Sequence, residues 1–193
     1  MKRLTALLMG LLLALSLASC SDGNSSDTSV PTDSADANEE NVLIAYFSKT
    51  GNTEEIANEI QSLTGGYLFK IETVAPYPED YTETTEVAQQ ELNDSARPEI
   101  SRTVENMEQY EVIYLGYPIW WGNAPMAVYT FLESYDLSGK TIVPFCTSGG
   151  TQIEESIPML EEACAKAKLL EGLTANDPDD VKPWLEELGL LAE

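Results

Sequence analysis

From residue 41 onward, short runs that are apolar almost throughout alternate with stretches in which apolar positions recur at helical spacing. The runs are NVLIAYFS (41–48), YLFKIE (67–72), EVIYLGYP (111–118), TIVPFCTS (141–148) and LLEGLTA (169–175). Apolar residues on both parities of a run mean a strand buried on both faces. Between the runs, EEIANEIQSLT (54–64) places Ile56, Ala57, Ile60 and Leu63 on one helical face. Further helices are predicted over 83–93, inside a polar stretch spanning 75–102, and over 125–135, 153–168 and 178–190. Asn123 is the expected N-cap of the helix over 125–135, with Pro125 in its first turn. Buried strands alternating with helices predict an α/β fold: a three-layer sandwich with a five-stranded parallel sheet and helices on both faces, because parallel neighbours need crossover helices.

The first 40 residues stand outside this pattern. Lys2 and Arg3 precede an apolar stretch, Leu4 to Leu17, too short to span a bilayer comfortably, and Leu17-Ala18-Ser19-Cys20 follows. Residues 1–20 therefore read as an export signal, and its end resembles the lipobox of bacterial lipoproteins. That resemblance implies lipidation at Cys20, a membrane-tethered mature protein, and a location on the extracytoplasmic face of a bacterial membrane. Residues 21–40, SDGNSSDTSVPTDSADANEE, hold almost no large apolar side chain and read as a disordered linker. The folded domain is assigned to 41–193.

Charge and composition narrow the function classes. The chain of 193 residues has 33 acidic and 10 basic side chains, and 1–20 contains two of the bases and no acid, which leaves −25 on the remainder. Such a surface repels nucleic acid and anionic lipid. There is no His, so imidazole bases, Ser-His-Asp or Cys-His pairs and the commonest zinc ligand are excluded.

In open parallel sheets, ligands bind beyond the carboxyl ends of the strands, and three segments lie there. SKTGNT (48–53) surrounds a glycine with the hydroxyls of Ser48, Thr50 and Thr53 and opens a helix whose free N–H groups suit an anion. Neither the Gly-x4-Gly-Lys-Ser/Thr pattern nor Gly-x-Gly-x-x-Gly is present, which favours a terminal monophosphate over a triphosphate or a dinucleotide. YPIWWGN (117–123) puts two indoles, Trp120 and Trp121, at a strand end, with flat faces for an aromatic ring; one of the pair can equally fill a satellite core. Pro118 stiffens this loop and Gly122 is expected to admit a ligand. TSGGTQ (147–152) offers backbone groups freed by Gly149 and Gly150 to the polar edge of a heterocycle.

With these three loops, residues 41–189 resemble flavodoxin-like proteins that bind FMN, in a branch with a strand-end Pro-Ile-Trp-Trp-Gly; YPEDYTETTEVAQQE (77–91) resembles the same branch. The resemblance implies strand order 2-1-3-4-5 and non-covalent FMN. Its phosphate would lie on Ser48, Lys49, Thr50, Gly51, Asn52 and Thr53. The isoalloxazine would pack along Pro118, Ile119, Trp120, Trp121 and Gly122, with its pyrimidine side on Thr147, Ser148, Gly149 and Gly150. No tyrosine in TSGGTQ matches the one that commonly stacks on the flavin, so Tyr77 or Tyr81 is expected to cover the ring. An exported electron-transfer protein is implied, with a redox partner protein or a small-molecule electron acceptor. An FMN-dependent NAD(P)H:quinone or small-molecule reductase and a flavin-free binding module on the same fold remain open. Cys146, at a strand end, and Cys164, about 16 Å down the returning helix by its rise, are expected to stay unbridged. Cys146 reads as a small buried apolar residue or, less simply, as a redox thiol near the ring.

Overall fold

The computed structural model describes residues 41–191; the export segment, Cys20 and the linker lie outside the described residues. Five parallel strands form the body of the sheet: β1 (Val42–Tyr46), β2 (Tyr67–Lys70), β3 (Val112–Pro118), β4 (Thr141–Thr147) and β5 (Lys168–Leu169), in the order β2-β1-β3-β4-β5. A sixth short strand, β6 (Leu173–Thr174), also pairs with β4. The helices are α1 (Asn52–Thr64), α2 (Tyr81–Asn93), α3 (Met126–Glu133), α4 (Ile157–Ala163) and α5 (Val181–Glu187).

Alternate residues of each central strand feed different cores. Leu43, Ala45, Ile113, Leu115, Tyr117, Ile142 and Cys146 face one way and pack with Met126, Val128, Phe131 and Leu132 of α3 and Leu160 of α4. Ile44, Tyr46, Tyr114, Val143 and Phe145 face the other and meet Ile56, Ala57 and Ile60 of α1 with Val181, Trp184 and Leu185 of α5. This two-sided burial is why the strands lack the apolar-polar alternation of a half-exposed sheet.

Where the sequence predicts one fifth strand over 169–175, the structure has two fragments, and Pro144 explains the break. The Ile142 carbonyl accepts from Leu170 N (2.9 Å) and the Cys146 carbonyl from Ala175 N (2.8 Å). Residue 144 lies between them in the alternation, so its backbone faces the same edge, and proline has no N–H to give there. The opposing chain detours through Gly172, where an added Cβ would lie 3.0 Å from the Pro144 carbonyl oxygen and 2.6 Å from Ile153 Cδ1.

Helix boundaries also differ from expectation. The helix predicted over 153–168 is a 3-10 turn, Ile153–Glu155, followed by the short α4, because Pro158 must sit in a first turn. Cys164 is therefore the C-cap of α4, not a mid-helix residue. Both Cys146 and Cys164 are buried free thiols. The predicted helix over 178–190 divides in the same way, into a 3-10 turn at Pro178–Asp180 and α5. No helix among the described residues is long and apolar enough to cross a membrane.

The Pro144–Gly172 fit leads to a stability prediction. Gly172→Ala should lower unfolding stability by about 1–3 kcal/mol, as overpacking against a fixed backbone does, read as a lower urea midpoint at unchanged slope.

Candidate functional site

A cleft of about 1010 Å³ opens at the carboxyl ends of β1, β3 and β4, walled by the loops after them and by α2. Each loop is shaped by its own hydroxyls before any ligand is considered. After β1, Ser48 Oγ accepts from the amides of Gly51 (3.1 Å) and Glu54 (3.3 Å), which bends the chain into α1, whose N-cap position is Gly51. Gly51 makes that bend in the left-handed region, at φ 97°. The amides of Thr50, Asn52 and Thr53 donate to no acceptor among the described residues, as the first turn of a helix requires. Lys49, Thr50, Asn52 and Thr53 line the cleft, while Ser48 and Gly51 frame the loop from behind.

The loop after β4 repeats the device. Ser148 Oγ accepts from Gly150 N (3.2 Å) and Thr151 N (2.9 Å). Asn176, just beyond β6, clamps the same residue: its Oδ1 accepts from Ser148 N (3.0 Å) and its Nδ2 donates to Ser148 O (2.7 Å). Thr147, Ser148, Gly149 and Asn176 line the cleft, whereas Gly150 does not. Asn176 escapes sequence reasoning because Ala-Asn-Asp-Pro reads as an ordinary turn. The first and third loops are joined by a buried hydroxyl pair, Thr53 Oγ1 and Thr147 Oγ1 at 2.9 Å.

The loop after β3 departs from expectation. Trp120 and Asn123 exchange both backbone hydrogen bonds (2.8 and 3.0 Å), and Trp121 and Gly122 between them have φ of 52° and 76°. Two consecutive positive φ values closed by such a pair match a type I′ turn. Gly122 thus serves the turn and does not line the cleft. Asn123 is spent on the same pairing and is not the cap of α3, whose N-cap position is Pro125. Pro118, Ile119, Trp120 and Trp121 all line the cleft, and Ile119 N ties the loop to Thr147 O (2.9 Å).

The two indoles differ. Trp120 is half-buried and stands edge-on to Phe47 (5.4 Å, 81°) and Tyr77 (5.1 Å, 83°), so it roots the loop in the main core on the α3 face rather than in a satellite core. Trp121 is 51% exposed, and its Nε1 donates to the Thr85 carbonyl of α2 (2.9 Å). Tyr77 cannot cover a ligand in the cleft: it is 8% exposed, packs on Trp120, and its hydroxyl donates to Glu91 Oε2 (2.7 Å). Tyr81, at 81% exposure, lines the cleft from the first turn of α2, and Thr84, Thr85 and Ala88 continue that wall. Little in the sequence marks α2 as a cleft wall; its polarity reads as a solvated helix.

The ionisable groups at the cleft are few. Lys49 Nζ lies 3.8 Å from Glu79 Oε2, and Glu55 lines the same space. An anion here would be held by backbone amides and hydroxyls more than by cations. Behind α1, the hydrogen bond from Lys70 Nζ (2.9 Å) holds the Glu54 carboxyl below its ordinary range. Burial, with Glu54 beside it, pushes the Tyr46 phenol up to about 12. Burial pushes the Cys146 thiol up to about 11 and Cys164 likewise; neither lines the cleft, so Cys146 behaves as a buried apolar residue rather than a reactive thiol. No cluster of metal-ligating side chains occurs among the described residues.

Comparison with known proteins agrees with this geometry. A family model described as flavodoxin matches residues 41–188. A crystal structure described as that of a flavoprotein, from Bacteroides eggerthii DSM 20697, is 37% identical, with TM-score 0.71 over 77% of this chain and 97% of that one. A second, from Bacteroides uniformis ATCC 8492, is 31% identical with TM-score 0.69, covering 75% and 97%. A flavoprotein from Lactobacillus acidophilus NCFM, solved in complex with FMN, is 23% identical with TM-score 0.63, covering 75% and 98%, and bears on the fold alone. No match is found among curated proteins.

Two predictions concern the framework. Thr53→Val strands the buried Thr147 hydroxyl and should cost about 1–3 kcal/mol, with the Thr53→Val/Thr147→Val pair costing less than the sum of the two singles; a double-mutant cycle in urea reads it. Burial raises the Glu91 carboxyl above its ordinary value. A raised acid favours folding when protonated, and that contribution is lost as pH rises through the folded pKa. Glu91→Gln, which keeps an acceptor for Tyr77, should therefore gain stability over the parent as pH rises through the carboxylate range, and little below it, by thermal unfolding at stepped pH.

Proposed function

This chain belongs to the flavodoxin family, and from that premise we propose that it binds FMN non-covalently as an exported, membrane-tethered protein of electron transfer. The observation that carries the FMN reading is the start of α1: amides of Thr50, Asn52 and Thr53 without acceptors among the described residues, beside the hydroxyl of Thr50, at the mouth of a cleft that also holds two indoles. A dianionic phosphate satisfies those donors and the helix dipole together. An isoalloxazine would have Pro118, Ile119, Trp120 and Trp121 along it, and Ser148 and Gly149, steadied by Asn176, at its polar edge. Ser48, Gly51, Gly122 and Gly150 act on the same site by shaping its loops.

When bound, FMN supplies the one- and two-electron chemistry, and the chain binds, orients and tunes it. Lys49 is the sole cation among the described cleft-lining residues and is engaged with Glu79, while Glu55 and the overall charge of the domain oppose further negative charge. The anionic reduced flavin is therefore disfavoured, which makes this a low-potential site. Export and tethering rest on residues 1–20 with Cys20, and the linker 21–40 gives the domain reach from the membrane for a redox partner protein or a small electron acceptor. The exposed outer wall of the cleft, at Tyr81 and Trp121, favours a reductase acting on a small molecule as the second reading.

The test is a paired titration. FMN should quench on binding with an affinity far above that of riboflavin, and Thr50→Ala should weaken FMN by about tenfold, the scale of one lost charge-assisted hydrogen bond, with riboflavin unaffected. Equal affinities for the two flavins would sink the phosphate assignment. The midpoint potential of bound FMN should lie below that of free FMN by spectroelectrochemistry; a higher potential would remove the low-potential reading.

A further inference from the structure

The polar groups of the loop after β4 can be followed one at a time. Thr147 is still strand, and its carbonyl accepts from Ile119 N (2.9 Å). Ser148 has its amide and its carbonyl both engaged by Asn176, while its hydroxyl accepts from the amides of Gly150 and Thr151. Gly149 remains: it lines the cleft, and neither its N–H nor its C=O has a partner among the described residues. The cause lies outside the loop. Thr141 pairs with Lys168 but Phe145 with Leu173, so the edge chain gains one residue on β4 at the Gly172 detour. That extra residue, as in a β-bulge, sets Asn176 level with Ser148. Without it the place would fall to Ala175, whose side chain has no hydrogen-bonding group.

We propose that Asn176 is a positioning residue for the flavin: by engaging both backbone groups of Ser148, it leaves Gly149 as the single residue of this loop whose backbone meets the pyrimidine edge. The proposal deepens the FMN reading above and rests on it. Asn176 acts through Ser148, with its Oδ1 on the Ser148 N–H and its Nδ2 on the Ser148 carbonyl. The carbonyl of Ser148 and the N–H of Gly149 share one peptide plane and point opposite ways in the trans form. Drawing that carbonyl to Asn176 therefore turns the Gly149 N–H away from Asn176. The next plane is held likewise, since the Gly150 N–H donates to Ser148 Oγ (3.2 Å) and the Gly149 carbonyl must point opposite to it. A glycine with free dihedrals is thus given fixed directions for both its groups. The pyrimidine ring of an isoalloxazine offers carbonyl oxygens beside an N–H, which one donor and one acceptor on a single residue can meet.

The experiment follows amide hydrogen exchange by NMR in the flavin-free protein and after saturation with FMN or riboflavin. Without flavin, the amides of Ser148, Gly150 and Thr151 should be protected at least about tenfold more than that of Gly149, and either flavin should slow Gly149 by a similar factor, as a new hydrogen bond does. Asn176→Ala should release the Ser148 amide in the flavin-free protein. It should also weaken FMN and riboflavin alike, by about tenfold each, the scale of one hydrogen bond. Thr50→Ala weakens FMN alone, so the two variants separate the two ends of the ligand. Asn176 is exposed, and protection of the β1, β3 and β4 amides in the same spectra checks that its variant is folded. A Gly149 amide unmoved by bound flavin, a loss confined to FMN, or undiminished affinity in Asn176→Ala overturns the proposal. Failure of the parent to bind either flavin is a different result, which removes the FMN reading and the proposal with it.

Discussion

Every feature of the cleft depends on the sheet being buried on both faces. Residues of β1, β3 and β4 alternate between two cores, so each strand must be followed by a crossover that returns over one face or the other. All the strand-to-helix loops after β1, β3 and β4 then emerge at one edge. There the backbone leaves the sheet and its polar groups need other partners. The molecule meets that need locally, with Ser48 and Ser148 each accepting two amides of their own loop, and across loops, with the Thr53–Thr147 pair and the Asn176 clamp. The donors left over at the start of α1 are the ones a phosphate can use.

The division of labour between adjacent tryptophans follows from the same geometry. Trp120 lies two residues beyond β3, beside Phe47 and Tyr77, so its ring is drawn into an edge-on cluster and anchors the turn. The next residue has to reverse the chain, which turns its side chain out toward α2. Anchoring and presentation are thus one residue apart, and the strain at Trp121 is sustained by the pairing of Trp120 with Asn123 on either side of it.

Electrostatics acts on a larger scale than the site. Local ion pairs such as Lys70–Glu54 and Arg97–Glu133 stitch elements together at the surface, where such pairs contribute modestly. The excess of acid has no such local role. Its consequence is a field that disfavours added negative charge anywhere in the cleft.

The parallel sheet and the three loops at its carboxyl edge were legible from the chain alone, because near-continuous apolar runs and Gly-hydroxyl loops are local patterns; the strand order followed from the family resemblance those loops carry. The split of the last strand was not, since it needs Pro144 and Gly172, 28 residues apart in sequence, to face each other across one ladder. Asn123 reads as a helix cap until its backbone is seen paired with Trp120, and Tyr77 and Tyr81 are interchangeable until packing buries the first and leaves the second in the cleft. Asn176 carries no local mark, and the α2 wall none beyond the family resemblance of residues 77–91. Short-range chemistry is written in neighbouring residues; which side chain reaches a ligand is set by contacts between segments far apart in the chain, and those exist once the chain has folded.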